Sequence, residues 1–466
     1  MLGMGNMRQW LMNISLVGGW FPAAAFAVVA VLSVTLLVSA AVSKRDGRIL
    51  ATVLPIGVAA VSGMVGYVVA WLLSDVFVVF GVGLGSRVMS WVAAGFAIAG
   101  FAIVHIVLSR GMMRVAAAIL TVFAILAAAI GIDQSYGEYA TIGSLFGEDS
   151  YSQADLTGLA KRKDLITVAQ WRKQAANGTI RNIPANGTVN KIDIPATKSQ
   201  FEARKALVYL PPAALADSKR KPALPVVLML SGQPGSPGRV FQAGGIQTMM
   251  DGYAKTHDGL APIVIAADQL GADSHNTLCV DSKVYGDALT YLTQDVVDWV
   301  KTNLPAAQDA KDWAIAGFSQ GATCSLQIGV NHPDLFGTMI PTDSEIKPTN
   351  GSRQEMIDRF FDGDTTAYEN QVPVNAIRNH APTHQMLIIG AGEKDTTSIR
   401  NVKTIAPVAA KAGMRVAAVE SSGNAHDWHA VQDVLRYGLA VFGHDTGLDG
   451  ANPNLSDYPN LKRITI

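Results

Sequence analysis

Ser319 stands in a sequence context that could make its hydroxyl a nucleophile. It is the centre of GFSQG (residues 317–321), which follows the apolar run WAIA (313–316) and precedes the helix-forming run ATCSLQI (322–328). A serine on a tight turn from strand to helix stands clear of the sheet, and glycines two residues before and after it relieve crowding around the turn. The pattern predicts attack by Ser319 on an acyl carbon.

A histidine after the last predicted strand is the candidate base. A serine hydroxyl is a weak nucleophile at neutral pH and needs an imidazole that accepts its proton. His426 lies in the glycine-containing loop SGNAHDW (422–428), ahead of a predicted helix over 430–437. His429 is the alternative base, but we expect it to belong to the helix and to point elsewhere.

Serine nucleophiles of this kind commonly act in a catalytic triad of serine, histidine and an acid. The anion of the acid holds the imidazole in one tautomer. The hydrolase fold supplies the three in the order serine, acid, histidine. A predicted strand over 385–389 leads into a loop that holds two carboxylates. We predict Asp395 as the acid; Glu393 in the same loop is the alternative, and Asp343, after the preceding strand, is a further one.

Two backbone N–H groups are candidates for an oxyanion hole, which stabilises the negative charge of a tetrahedral intermediate. One donor is the residue after the nucleophile, and the other lies in a loop after an earlier strand. That loop reads SGQPG (231–235) and follows the predicted strand over 225–230. We predict the N–H groups of Gln233 and Gln320 as the two donors.

From residue 187 the chain alternates apolar runs with helical patterns, which is typical of a mostly parallel sheet with helices on both faces. This arrangement predicts an α/β-hydrolase domain over 187–446, followed by a C-terminal tail over 447–466. The eight predicted strands cover residues 188–194, 205–210, 225–230, 263–267, 313–316, 338–342, 385–389 and 415–419.

The N-terminal part of the chain differs in kind. Of the 466 residues, 49% are hydrophobic and 16% are charged, against roughly 25% charged in an ordinary soluble domain. The shortfall lies almost entirely before residue 133. Crossing a bilayer takes about 20 mostly apolar residues, and the stretches that qualify predict a four-helix transmembrane anchor over 1–132, followed by a stalk over 133–186. The four stretches lie at about 20–42, 49–73, 88–108 and 115–132, and three spans after the first argue against a cleaved signal peptide.

Basic residues in the short connections predict the orientation, because Lys and Arg are retained on the cytoplasmic side. The connections at 43–48 and 110–114 hold three and two basic residues, whereas the connection at 74–87 holds one. The N-terminus and the catalytic domain of this multi-pass cell-membrane protein are then extracytoplasmic. The basic residues concerned are Lys44, Arg45, Arg48, Arg110 and Arg114.

Cysteine usage and charge limit the cofactors and partners. Only Cys279 and Cys324 occur, and neither belongs to a CxxC motif or a Cys/His cluster, so we expect no metal site. An oxidising compartment favours a disulfide between them, and two buried thiols are the alternative. Lys plus Arg and Asp plus Glu are both 37, so the charge indicates no nucleic-acid partner. The oligomeric state stays open.

Six motifs in the chain carry a resemblance to a known family. They are SGQPG, TLCVDS (277–282), YLTQDVVDW (291–299), GFSQG, HPDLF (332–336) and HDW (426–428). Together they resemble the esterase D-like family of esterases, which includes the mycolyltransferases of the antigen 85 complex. The resemblance covers about residues 185–445, and four spans ahead of such a domain are similar to a group of actinobacterial membrane esterases. It implies a triad of serine, histidine and acid, no cofactor, and acyl-ester substrates. By position, it implies Ser319 as nucleophile, His426 as base, and Gln233 and Gln320 as oxyanion donors.

Two departures from the mycolyltransferases limit that resemblance. In those enzymes an acidic residue just before the oxyanion glycine and an arginine close after it help to hold the sugar. Here Ser231 and the run QPGS (233–236) stand at those positions, which argues against trehalose recognition in the same manner. The triad acid of the mycolyltransferases is a glutamate, which keeps Glu393 as an alternative to Asp395.

These observations favour hydrolysis of an acyl ester on a cell-envelope lipid or acylated sugar. Acyl transfer to a sugar or lipid hydroxyl through the same acyl-enzyme is the first alternative. A peptidase is disfavoured because no acidic pair suited to an amine stands out. A catalytically silent lipid-binding module is the non-enzyme alternative, and the presence of serine, acid and histidine in order argues against it.

Overall fold

The computed structural model describes residues 4–42, 48–77, 84–148, 151–160, 162–180 and 182–466. Two compact units are distinguished by their internal packing. The first consists of Met1–Glu148 with the short segment Ala425–Asp427, and the second of Asp149–Asn424 with Trp428–Ile466.

The N-terminal unit is helical. Four of its helices, at Trp20–Ala41, Thr52–Val76, Gly85–Leu108 and Met112–Tyr136, are long and apolar enough to cross a membrane, which confirms the predicted number of spans. Lys44, Arg45 and residues 78–83 of the predicted connections lie outside the described residues. The helices are α1 (Met4–Met12), α2 (Trp20–Ala41), α3 (Arg48–Trp71, continued by a π-helical turn over Leu72–Val76), α4 (Gly85–Leu108), α5 (Met112–Tyr136) and α6 (Ile142–Leu145).

The packing of these helices fits a lipid environment. Large apolar side chains point outward from α3, where Val61 and Met64 are 64% and 70% exposed. Small residues let the helices approach one another: an ideal Cβ on Gly100 of α4 would lie 2.4 Å from the Ser62 hydroxyl of α3. Small residues at helix contacts and apolar residues outside are the pattern of membrane helices, because lipid gives no hydrophobic drive for burying large side chains.

The second unit is built on one large sheet. Its strands are β1 (Ser152–Gln153), β3 (Thr188–Ile192), β4 (Ala206–Leu210), β6 (Val226–Leu230), β7 (Ile263–Ala266), β10 (Trp313–Phe318), β11 (Thr338–Thr342), β12 (Met386–Gly392), β13 (Arg415–Ser421) and β14 (Leu461–Arg463). They follow the order β1-β3-β4-β7-β6-β10-β11-β12-β13-β14. Every adjacent pair between β7 and β13 in this order is parallel, and the antiparallel pairs lie toward the edges. Two short pairs stand apart, β2 (Leu165–Ile166) with β5 (Lys221–Pro222), and β8 (Asp281–Ser282) with β9 (Gly286–Asp287).

All eight predicted strands are present, but the predicted number was too small because the sheet has ten. The additional strand β1 lies in the segment predicted as a stalk and pairs with β3, Ser152 opposite Asn190. The other, β14, lies in the predicted tail and pairs with β13, Glu420 opposite Lys462. Strands of two or three residues are too short for an apolar period, so only their pairing reveals them.

Helices cover both faces of the sheet, as predicted. Alternate residues of a strand point to opposite faces: Leu228 of β6 belongs to one buried cluster, and Val227 and Met229 to the other. The helices of this unit are α7 (Val168–Ala176), α8 (Pro212–Leu215), α9 (Pro237–Gln242), α10 (Ile246–Lys255), α11 (Ala288–Thr290), α12 (Val296–Asn303), α13 (Gln320–Asn331), α14 (Arg353–Phe360), α15 (Thr365–Glu369), α16 (Pro373–Asn379), α17 (Thr396–Lys411) and α18 (Trp428–Asp445). The first cluster includes side chains of α12, α13 and α17, and the second includes side chains of α10 and α18.

Candidate active site

Ser319 occupies the turn between the central strand β10 and helix α13. Its φ is 56° and its ψ is −117°, a left-handed conformation that is costly for a residue with a side chain. The Ser319 N–H donates to the Thr342 carbonyl at the end of the neighbouring strand β11, at 3.0 Å. The turn therefore holds a strained serine at the carboxyl end of the parallel strands.

The two glycines of the turn are required by close backbone contacts. A Cβ on Gly317 would lie 2.2 Å from the Gly321 carbonyl oxygen, and a Cβ on Gly321 would lie 2.3 Å from the Ser231 carbonyl oxygen. Both distances are far inside van der Waals contact. The second also shows that the turn packs directly against the loop that follows β6.

That loop, residues 231–235, lies beside the nucleophile. A Cβ on Gly232 would be 3.2 Å from the Phe318 ring and 3.6 Å from Ser319 Cβ. Gln233 follows Gly232, and Gln320 begins α13 and is buried. The structure thus brings together the predicted nucleophile and the two segments that carry the predicted oxyanion donors.

The acid loop begins where β12 ends. Asp395 is buried and is the N-cap of α17, since its Oδ1 accepts the Ser398 N–H at 3.0 Å. Asp343, directly after β11, is fully buried and has a positive φ of 54°. Its Oδ1 accepts the Gly392 N–H at 2.9 Å. One oxygen of each of these two carboxylates lies within 4.8 Å of the other.

Glu393 has a different environment from Asp395, although only two residues separate them. Its side chain is 40% exposed. Its carboxylate accepts the Gly423 N–H at 2.7 Å and the Lys462 ammonium at 2.9 Å. These bonds, that of Gly423 first, hold the pKa of Glu393 below its usual range. The carboxylate is therefore engaged with β14 and the start of the histidine loop, at the surface.

His426 lies in the loop between β13 and α18, and its neighbours in the sequence have defined partners. The carbonyl of Asn424, two residues before it, accepts the Lys394 N–H at 2.8 Å. The ring of Trp428, two residues after it, lies 5.0 Å from the Phe318 ring, centre to centre. His429 is the second residue of α18, in agreement with the expectation that it belongs to the helix.

Cys279 and Cys324 form a disulfide, with their Cα atoms 5.7 Å apart. Both are buried. The bond joins the segment after β7 to α13, one turn beyond the nucleophile, and the side-chain Nε2 of Gln320 lies 3.7 Å from Cys279 Sγ. The disulfide therefore belongs to the surroundings of the nucleophile.

Three residues around the oxyanion loop were not predicted from the sequence. Arg204 forms an ion pair with the buried Asp268, and the buried Gln269 bonds to the Ser231 carbonyl at 2.7 Å. The signal was present, because two polar residues directly after an apolar strand lie at the carboxyl edge of a parallel sheet, where sites form.

Comparison with known proteins gives a family match over half of the chain. The family described as "Putative esterase" matches residues 198–438. An uncharacterized protein of Corynebacterium glutamicum is 32% identical over 333 residues, which are 70% of this chain and 74% of that protein. The matched family segment contains all the predicted triad residues.

Two of the solved structures that match this chain are hydrolases of low sequence identity to it. A ferulic acid esterase is 16% identical, with a TM-score of 0.44 over 57% of this chain and 99% of that one. An S-formylglutathione hydrolase from Agrobacterium tumefaciens is 17% identical, with a TM-score of 0.45 over 57% of this chain and 98% of that one.

Proposed function

Since the chain belongs to this esterase family, we propose that it is a membrane-anchored serine esterase that cleaves acyl esters outside the cytoplasm with Ser319, His426 and Asp395. The observation that carries the proposal is the strained turn at Ser319, with φ 56° and the oxyanion loop packed against it. Such strain persists only where the surrounding structure enforces it, and it is the property of a nucleophile turn.

The positions of its neighbours support His426 as the base. Asn424 bonds to Lys394, which precedes Asp395, and Trp428 packs on Phe318, which precedes Ser319. Two residues span at most about 7 Å of extended chain. Asn424 and Trp428 are therefore anchored at the acid loop and beside the nucleophile turn, and His426 is the residue midway between them in the sequence.

Burial supports Asp395 as the acid. A buried carboxylate orients an imidazole and stabilises the imidazolium without competition from water. Asp395 is 8% exposed, whereas the carboxylate of Glu393 is already engaged by Gly423 and Lys462 at the surface. Asp343 is also buried, but it serves the acid loop through its bond to Gly392.

The proposed reaction has two steps that share these groups. Ser319 Oγ attacks the ester carbonyl carbon while His426 takes its proton, and the N–H groups of Gln233 and Gln320 donate to the oxyanion. The intermediate then breaks its C–O bond to the alcohol, which leaves with the proton from His426, and the acyl group stays on Ser319. In the second step water gives its proton to His426 and attacks the acyl-enzyme. The second intermediate releases the acid, and the proton returns to Ser319.

Two features support an extracytoplasmic catalytic unit. Arg110 and Arg114 lie in one short connection and Lys44, Arg45 and Arg48 in another, which favours a cytoplasmic side for both connections. The Cys279–Cys324 disulfide fits an oxidising compartment. A catalytic unit tethered by four spans meets membrane-associated esters first, so the proposed substrates are acylated lipids or acylated sugars of the cell envelope.

The decisive experiment is labelling of membranes that contain the full chain with a fluorophosphonate probe. We expect the wild type to be labelled and Ser319→Ala to be unlabelled, with Ser325→Ala as the matched control, because Ser325 lies in the same helix and only bonds to a helix carbonyl. Hydrolysis of p-nitrophenyl acyl esters should fall roughly 10³-fold or more in Ser319→Ala. Undiminished labelling of Ser319→Ala would contradict the proposed nucleophile, and a wild-type chain that is not labelled would favour a silent module.

The side of the membrane is tested by a single added thiol. The two natural cysteines are joined in the disulfide, so a cysteine at the exposed position 403 of α17 (Lys403→Cys) gives one reactive site. We expect a membrane-impermeant maleimide to label it in intact cells or spheroplasts. Labelling only after lysis would place the catalytic unit in the cytoplasm.

A further inference from the structure

We propose that Arg204, Asp268 and Gln269 are positioning residues for the oxyanion hole, a role that rests on the serine-esterase mechanism proposed above. None of them is a candidate for the triad. Together they hold the 231–235 loop and link it to the nucleophile turn.

The first link is an ion pair of fixed geometry between a partly exposed arginine and a buried aspartate. Asp268 is fully buried, and the Arg204 guanidinium donates to it in a bidentate manner, Nε to Oδ2 at 2.9 Å and Nη2 to Oδ1 at 2.7 Å. The backbone N–H groups of Arg204, Leu270 and Gly271 donate to the same carboxylate at 2.8, 3.1 and 3.1 Å. A buried charge with this many donors has one orientation, and it fixes the guanidinium plane.

The second link runs from Arg204 into the oxyanion loop. Its Nη2 also donates to the Gly235 carbonyl at 2.9 Å. Gly235 packs so closely on the start of the loop that a Cβ there would lie 2.2 Å from the Gly232 carbonyl oxygen. Arg204 therefore holds Gly235 in place, and Gly235 limits how the Gly232 carbonyl can turn.

The orientation of the Gly232 carbonyl decides the orientation of the proposed donor. The Gly232 C=O and the Gln233 N–H belong to one peptide group, which is planar, so in the trans form they point in opposite directions. A rotation of this peptide would turn the Gln233 N–H away from the oxyanion. An oxyanion donor is effective only when its direction is set before the charge develops.

The third link joins the two sides of the oxyanion hole. The buried side-chain nitrogen of Gln269 donates to the Ser231 carbonyl at 2.7 Å and to Gln320 Oε1 at 3.2 Å. An amide NH₂ group has two donors, and here one bonds to the loop and the other to the residue after the nucleophile. Gln269 thereby fixes the distance between the segments that carry the two donors.

The arrangement predicts an effect on the transition state rather than on substrate binding. Arg204 is paired with Asp268 and also with the exposed Asp273, so it acts through geometry and not through a free positive charge. Ground-state ester binding does not use the oxyanion N–H groups fully, whereas the tetrahedral intermediate does. Loss of a positioning residue should therefore lower kcat and leave KM nearly unchanged.

The test compares Arg204→Met and Gln269→Leu with Arg415→Met, which removes a surface ion pair to Asp445. We expect kcat for a p-nitrophenyl ester to fall about 10-fold to 100-fold in the first two variants, less than the roughly 10²-fold to 10³-fold loss of a donor itself. KM should change less than about 3-fold, and affinity for a boronic acid, which mimics the tetrahedral state, should fall in parallel with kcat. The control should match the wild type.

Two results would overturn the inference. One is unchanged kcat and unchanged boronic acid affinity in a folded Gln269→Leu protein, a variant that loses only an amide. The other is a loss of activity in Arg204→Met that is fully explained by a smaller fraction of folded protein, as measured by thermal unfolding. In that case kcat per folded molecule would equal that of the wild type. Failure of the esterase proposal is separate, since it would appear as Ser319-independent labelling by the fluorophosphonate probe.

Discussion

The nucleophile turn and the acid loop lie at the same edge of the sheet, but their sequences specify them to different degrees. At positions 317 and 321 of the turn only glycine fits, because a Cβ would lie 2.2 or 2.3 Å from a backbone carbonyl oxygen. In the acid loop, Glu393 and Asp395 are chemically alike, and their hydrogen-bond partners distinguish them. A steric requirement of the backbone restricts the residue type, so it can be recognised in the sequence. Hydrogen-bond partners from distant segments do not restrict the residue type in this way.

The largest effect should come from the acid loop itself. Asp395→Asn should lower kcat/KM by roughly 10³-fold to 10⁴-fold, because the neutral amide no longer holds the imidazole in the required tautomer. The matched variant Glu393→Gln changes the same loop, and its kcat/KM should fall by less than about 3-fold. Steady-state hydrolysis of a p-nitrophenyl ester measures both, and the reverse order would make Glu393 the acid.

The nucleophile turn should respond through stability. Gly321→Ala places a methyl group 2.3 Å from the Ser231 carbonyl oxygen, and such overpacking should cost at least about 2 kcal/mol. A matched change is Gly252→Ala in α10, where no atom lies within 4 Å and where alanine should add roughly 0.5–1 kcal/mol. In thermal or denaturant unfolding, the midpoint should be lower than that of the wild type for Gly321→Ala and higher for Gly252→Ala. Equal midpoints in the two variants would mean that the turn relaxes to accommodate the methyl group.

Asp343 provides a finer test of the acid loop. Asp343→Asn removes the charge but keeps an oxygen that can accept the Gly392 N–H. We therefore expect kcat/KM to fall only about fivefold, which corresponds to about 1 kcal/mol in the activation free energy. A loss as large as that of Asp395→Asn would instead assign the triad acid to Asp343. Ester hydrolysis by Asp343→Asn and Asp395→Asn in parallel distinguishes the two carboxylates.

The smallest expected effect concerns Glu393 and pH. Its bonds to Gly423 and Lys462 lower its pKa in the folded state, so they stabilise the fold above the unfolded glutamate pKa of about 4.3. That contribution is lost as the pH falls through the lowered pKa of Glu393. The Tm difference between wild type and Glu393→Gln should therefore be present near neutral pH and vanish in acid. Glu202→Gln, at another exposed glutamate, is the matched control, and a pH-independent difference would contradict the assignment.

Local composition is enough to specify the main elements of this protein. Four apolar stretches specified four spans, because a helix in lipid must satisfy its own backbone. Apolar runs separated by helical patterns specified the eight main strands, and GFSQG located the serine turn. These features follow from local composition, so they can be read without knowing which segments meet.

Features that depend on segments distant in sequence are defined only once the chain has folded. The two short edge strands β1 and β14 exist through pairing with β3 and β13. The different surroundings of Asp395 and Glu393 come from residues near 423 and 462. Arg204, Asp268 and Gln269 gain a role only because folding places them against a loop about 30 to 40 residues away in sequence. Hydrogen bonds are short-ranged and directional, so a residue's partners are defined by the fold and not by its own sequence neighbourhood.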